Sequence, residues 1–79
     1  MPYIKKERRL SASVCPTTAG ELNYAITREI LRYFPQDPGY DDYNEVIGVL
    51  ECVKLEFVRR MLVPYEDQKI LENGDVYPR

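Results

Sequence analysis

The chain has 79 residues, and its 11 Lys and Arg against 13 Asp and Glu give a formal net charge of −2. This length predicts one domain, and the nearly balanced charge excludes a general electrostatic attraction to nucleic acid or to an anionic membrane. The sequence has no histidine, which is the commonest general base and the commonest metal ligand. We therefore expect neither a metal nor a cofactor.

The two cysteines, Cys15 and Cys52, are too few to form a zinc site. The N-terminal residues MPYIKKERRL lack the apolar core of a signal peptide, and no apolar run approaches the roughly 20 residues of a membrane span. A cytoplasmic location is expected, so both thiols are interpreted as reduced. One disulfide, within a chain or between chains, is the alternative.

Residues 1–16 predict an extended basic arm that precedes a helical core at 17–73. Four basic side chains surround a single acidic residue in this arm, namely Lys5, Lys6, Arg8 and Arg9. They are candidate phosphate contacts of a nucleic-acid-binding accessory protein, whereas a solubilising arm is the simpler interpretation. On that simpler interpretation, replacing all four changes folding little, because exposed charges contribute little to stability.

The first helix is predicted at 19–34. Thr18 and Glu21 have the spacing of a capping box, in which each side chain accepts from a free backbone N–H group. Pro35 ends the helix, because the residue before a proline resists the helical conformation. The apolar residues of this helix share one face: Leu22, Ala25, Ile26, Ile30 and Tyr33.

The second helix is predicted to start at Asp41 or Asp42, either of which suits the N-cap position. Its apolar pattern persists to Pro64, where the helix is either kinked or broken; the phase of the later apolar residues favours a kink with the helix continuing. Gly74, after Asn73, ends it. Residues 74–79 form an extended tail that is a candidate to pair with the extended N-terminus.

Two apolar stripes run along the second helix when roughly 100° is allowed for each residue. The main stripe consists of Tyr43, Val46, Ile47, Leu50, Val53, Phe57, Val58 and Met61. The small stripe, on the opposite side, consists of Gly48, Cys52, Leu55 and Leu62. The first helix has area to cover only the main stripe, so a common core is predicted for Leu22, Ile26, Ile30, Leu50 and Phe57. The small stripe is left as a subunit interface.

Lys54 falls inside the main stripe and is a candidate nucleophile or anion holder. The simpler interpretation is that its stem packs along the helix while its ammonium group reaches Glu51 or Glu21. Small helical nucleoside-triphosphate pyrophosphatases bind metal through acidic pairs three residues apart on facing helices. Here Gly48 lies three residues after Glu45, and Lys54 lies three residues after Glu51, so the pattern is not matched. A metal- or lysine-dependent small helical enzyme is therefore the third alternative.

Four segments resemble a small protein family of unknown function from bacterial, archaeal and phage genomes. They are the MPYI start, GELNYAIT at 20–27, YNEVIGVLECVKLEFVRR at 43–60 and PYEDQKILENGDVY at 64–77. The resemblance covers most of the chain after Ala19, and the stretch between Arg9 and Thr17 is the variable part. It implies no activity and no site residues.

The sequence as a whole predicts an all-α protein: a helical hairpin with a long second helix, assembled as a homodimer or a higher homo-oligomer. The predicted function is that of a non-enzymatic protein-interaction or assembly module whose partner is another copy of the chain. Nucleic acid is the alternative partner, and no membrane is expected.

Overall fold

The structure is a computed structural model and describes residues 1–78. Helices provide all of the regular secondary structure in these residues, and no β-strand occurs among them. The all-α prediction is confirmed, whereas the predicted pairing of extended termini is wrong for the described residues. The chain divides into two compact units, Met1–Asp42 and Tyr43–Arg79.

The first unit begins with a helix in place of the predicted extended arm. A 3₁₀ turn at Lys6–Arg8 leads into α1 at Arg9–Val14, which packs on α2 at Ala19–Tyr33. The prediction failed because Ser-Ala-Ser has weak helix propensity, which packing overrides here. Ala12 is completely buried, and the hydroxyls of Ser11 and Ser13 donate back to carbonyls one turn earlier.

The start of α2 follows the capping prediction in part. Thr18 Oγ1 accepts the Glu21 N–H at 3.1 Å, as the capping box requires. The Glu21 carboxylate, however, accepts from the backbone N–H of Thr17 instead of Thr18, at 3.0 Å. The helix ends at Tyr33, one residue earlier than predicted, since Phe34 before Pro35 is extended.

Gly20, in the first turn of α2, lies beside the N-terminal residues. A Cβ atom at this position would lie 3.4 Å from the carbonyl oxygen of Met1 and 3.5 Å from Ile4 Cγ2. The absence of a side chain therefore lets the chain's first residues approach the helix backbone closely.

The second long helix, α3, spans Tyr40–Phe57 and begins one residue before the predicted start. Asp42 does not occupy the N-cap position. Its carboxylate accepts the Gly39 N–H at 2.9 Å, which is the bond that the third helical residue makes in a capping box.

The helical backbone passes through Pro64 without a break, as the phase of the apolar residues favoured. A π-helical turn at Val58–Leu62 joins α3 to α4 at Val63–Asn73. Its closing bond runs from the Val63 N–H to the Val58 carbonyl, one residue longer than an α-helical bond. Proline has no N–H group to donate, and its ring crowds the carbonyl four residues earlier. The wider π-helical turn in front of Pro64 accommodates both the missing hydrogen bond and the steric clash.

The common core predicted for five apolar residues joins side chains of the first unit to side chains of the second. It stays a prediction, as does the pairing of the two long helices as a hairpin.

Gly74 ends α4 as predicted, with φ at 88° and ψ at 143° and its N–H on the Ile70 carbonyl at 2.8 Å. This conformation is nearly restricted to glycine. We expect Gly74→Ala to lower the free energy of unfolding by about 1–3 kcal/mol, measured by thermal denaturation. Gly48→Ala at low concentration is the control: it adds the same methyl group at a glycine without positive φ and with nothing within 4 Å, so it should lose no stability. Equal losses in the two variants would show that the backbone conformation is not the cause.

Candidate functional site

The second unit has no fully buried side chain between 43 and 78, although much of it is apolar. Within the main stripe, only Val46 and Val58 are half-buried, and the other members are exposed. Isolated helices are only marginally stable in water, and most helices in proteins are stabilised by packing of an apolar face. The uncovered stripes of α3 are therefore the candidate functional site.

Two of the four predicted interface residues, Gly48 and Cys52, lie together in a shallow open groove along α3. Its other lining residues are Asn44, Glu45, Val49, Val53 and Glu56. A Cβ atom at Gly48 would meet nothing within 4 Å, in contrast to one at Gly20. Leu55 is exposed on the same helix but does not line this groove.

Leu62, the fourth predicted interface residue, belongs to the π-helical turn and not to α3. The small stripe was assigned on a regular α-helical phase. A π-helical turn inserts about one extra residue and rotates whatever follows. Leu62 is therefore displaced from the line of Gly48 and Cys52, and the continuous part of the small stripe ends at Leu55.

The side chain of Lys54 takes the simpler of its two predicted roles. Its Nζ atom lies 3.2 Å from Glu51 Oε2, and both side chains are exposed. The ion pair is a surface pair between neighbouring turns of α3, a kind that contributes little to stability. The Lys54 side chain is thus exposed, without the desolvation that activates a nucleophilic lysine.

The predicted nucleic-acid contacts separate into two pairs. The guanidinium of Arg8 donates to both carboxylate oxygens of Glu21, from Nε at 3.1 Å and from Nη2 at 3.3 Å. Arg9 donates from Nε to the Ile4 carbonyl at 3.3 Å, and its guanidinium lies 5.7 Å from the centre of the Tyr24 ring. Both arginines make contacts within the first unit, so we expect their replacement to lower its stability, in contrast to the expectation from the sequence. Phosphate contacts by the four basic side chains stay a prediction.

Glu21 is the centre of the only polar cluster that the described residues bury, and it is 6% exposed. Besides the Arg8 guanidinium, its carboxylate accepts from the N–H and the hydroxyl of Thr17, each at 3.0 Å. The Arg8 hydrogen bonds, followed by the Thr17 N–H, lower the pKa of Glu21 to about 2. In turn, the carboxylate raises the pKa of Arg8. The sequence indicated a capping role for Glu21 and named it as one of two possible partners of Lys54, but it did not indicate the pair with Arg8. Nothing in the sequence links a helix cap to an arginine 13 residues earlier.

The structure of residues 1–78 also bears on three other kinds of feature: a metal site, a membrane span and a disulfide. No three of their His, Cys, Asp or Glu side chains cluster so as to hold a metal ion. None of their helices combines the length and the apolarity that a membrane crossing needs. Cys15 and Cys52 are both free and exposed.

No curated protein and no solved structure matched the chain. A family model described as Domain of unknown function (DUF6899) matches residues 1–76, which is nearly the whole sequence. The chain therefore belongs to this family, in agreement with the resemblance to a family of unknown function.

Proposed function

We propose that the protein is a non-enzymatic assembly module that associates with further copies of itself through α3. The observation that carries this proposal is the exposure of the second unit. Its helices extend over about 50 Å at roughly 1.5 Å per residue, and their large apolar side chains are uncovered. Apolar faces of this extent mark interaction surfaces in soluble proteins.

The small stripe is the face that we expect to be buried between copies. A glycine inside a helix costs up to about 1 kcal/mol relative to alanine, so a packing reason is expected for it. Gly20 has such a reason within the chain, namely the approach of Met1 and Ile4. Gly48 has none within 4 Å, and a second helix crossing at this position supplies it.

The first test is the mass in solution, measured by sedimentation equilibrium over a wide range of concentrations. The wild type is expected to rise to a multiple of the single-chain mass. Cys52→Asp should lower that mass, because it places a charge in the seam. Leu50→Asp changes a residue of the main stripe that does not line the groove of Gly48 and Cys52, so it reports on the other face. A wild type that keeps the single-chain mass at high concentration would overturn the proposal.

Gly48→Ala distinguishes the stability of the helix in the single chain from the strength of association between chains. In the single chain nothing lies near the added methyl group, so helix stability should rise by up to about 1 kcal/mol. In the assembly the same methyl group separates the helices, so association should weaken. The measurement pairs circular dichroism at low concentration with sedimentation at high concentration. A Gly48→Ala chain that gains stability and also associates more tightly would remove Gly48 from the interface.

A further inference from the structure

Charge is distributed unevenly along α3 and the π-helical turn, with an acidic end and a basic end that can pair with those of a second copy. Asp41, Asp42 and Glu45 lie in the first turns of α3, whereas Arg59 and Arg60 lie in the π-helical turn. Two copies that run in opposite directions bring the acidic end of each helix beside the basic end of the other. Parallel copies bring like charges together.

Part of this charge pattern lies on the same side of the helix as the small stripe. Glu45, Cys52 and Arg59 follow one another at intervals of seven residues, which is close to two helical turns. Arg59 is only the second residue of the π-helical turn, so its direction departs little from that of α3. Glu45 and Arg59 therefore lie about 10 Å on either side of Cys52 along the axis.

We propose that two copies of the chain pair their α3 helices antiparallel around a two-fold axis at Cys52, with Glu45 of each copy opposite Arg59 of the other. This arrangement rests on the self-association proposed above and adds its direction and register. A two-fold axis is the commonest symmetry of homo-oligomers and uses the same surface of both chains.

The other side chains of the seam fit this arrangement. Gly48 lies one turn from the axis, where the open space above its Cα lets the second backbone approach. Arg59 already pairs with Glu56 of its own chain, from Nη2 to Oε1 at 2.7 Å. A guanidinium has five N–H donors, so Arg59 has donors left for a second carboxylate.

The test reverses the charges one at a time and then together. Glu45→Arg and Arg59→Glu each create two like-charged contacts across an antiparallel seam, and each should weaken association about tenfold. The double variant restores two opposite-charged contacts and should return to the wild-type dissociation constant. Sedimentation equilibrium at low salt gives these constants, and circular dichroism at equal concentration shows that each variant is helical. Added salt should reduce the differences, because it screens exposed charges.

The alternative outcomes have different meanings. In a parallel pair each of the two positions meets its own copy, so a single reversal replaces one like-charged contact by another and leaves the constant unchanged. A wild type that associates while both single variants keep its constant overturns the antiparallel arrangement alone. Retained association in Cys52→Asp with loss in Leu50→Asp overturns it as well, because the main stripe is then the seam. A wild type that never associates overturns both this arrangement and the proposed function.

Discussion

Glu21→Gln should separate α1 from α2 and give the largest loss of structure among single changes in the first unit. The amide keeps the shape of the side chain but removes the charge that the Arg8 guanidinium binds at both oxygens. It also brings N–H groups to a site where the carboxylate now accepts from Thr17. Amide hydrogen exchange of residues 9–14, or the melting of a chain ending before α3, measures the loss.

Acid should have the same effect on the wild type. Because the folded pKa of Glu21, about 2, lies below its ordinary value near 4.5, the carboxylate contributes stability above pH 4.5. That contribution is lost as the pH falls from about 4.5 towards 2. The loss should be absent from Glu21→Gln.

Glu29→Gln is the matched control for both experiments. Glu29 lies in the same helix and pairs with Arg32 at 2.7 Å, but both side chains of this pair are exposed. An exposed pair three residues apart contributes little, so this variant should unfold as the wild type does. If the control loses as much stability as Glu21→Gln, the buried cluster is not what holds α1 on α2.

Pro64→Ala should convert the π-helical turn into regular α-helix and stabilise the second unit by up to about 3 kcal/mol. Alanine restores the N–H that proline lacks and frees the carbonyl of Arg60 from the proline ring. The expected result is a higher melting temperature and slower amide exchange across residues 58–66. Pro64→Gly is the control, because it restores the N–H without the helix propensity of alanine.

The same substitution should also change the interaction surface. Loss of the extra residue rotates α4 by about 100°, which returns Leu62 to the line of the small stripe. If the Pro64→Ala variant melts at a lower temperature than the wild type, or if its amide exchange rates across residues 58–66 are unchanged, the proline does not impose the π-helical turn.

The local features of the fold could be predicted from the sequence, because short-range signals control them. The cap at Thr18, the end at Asn73 and Gly74, and the helix continuing through Pro64 each depend on residues within one turn. The π-helical turn was not predicted, and neither was the position of Leu62 within it. A proline in the sequence indicates that the regular helix is disturbed, but it does not indicate that a π-helical turn accommodates the disturbance.

The failures in the first unit have a different cause. Residues 1–16 look extended because serine and charge favour no regular structure, yet packing of Ala12 and pairing of Arg8 accompany helical structure at residues 6–14. A contact between positions 13 residues apart has no periodic signature in the sequence.

The pairing of Arg8 with Glu21 has a consequence for how the protein reaches its folded state. The partners are close in the sequence, so the first unit can form quickly once residues up to the end of α2 are available. The second unit has no buried residue of its own in the described part of the chain, and its stability grows with the concentration of whatever covers it. In the assembly proposed here, the first unit folds in a first-order step, whereas the second unit gains its stability only when two chains associate.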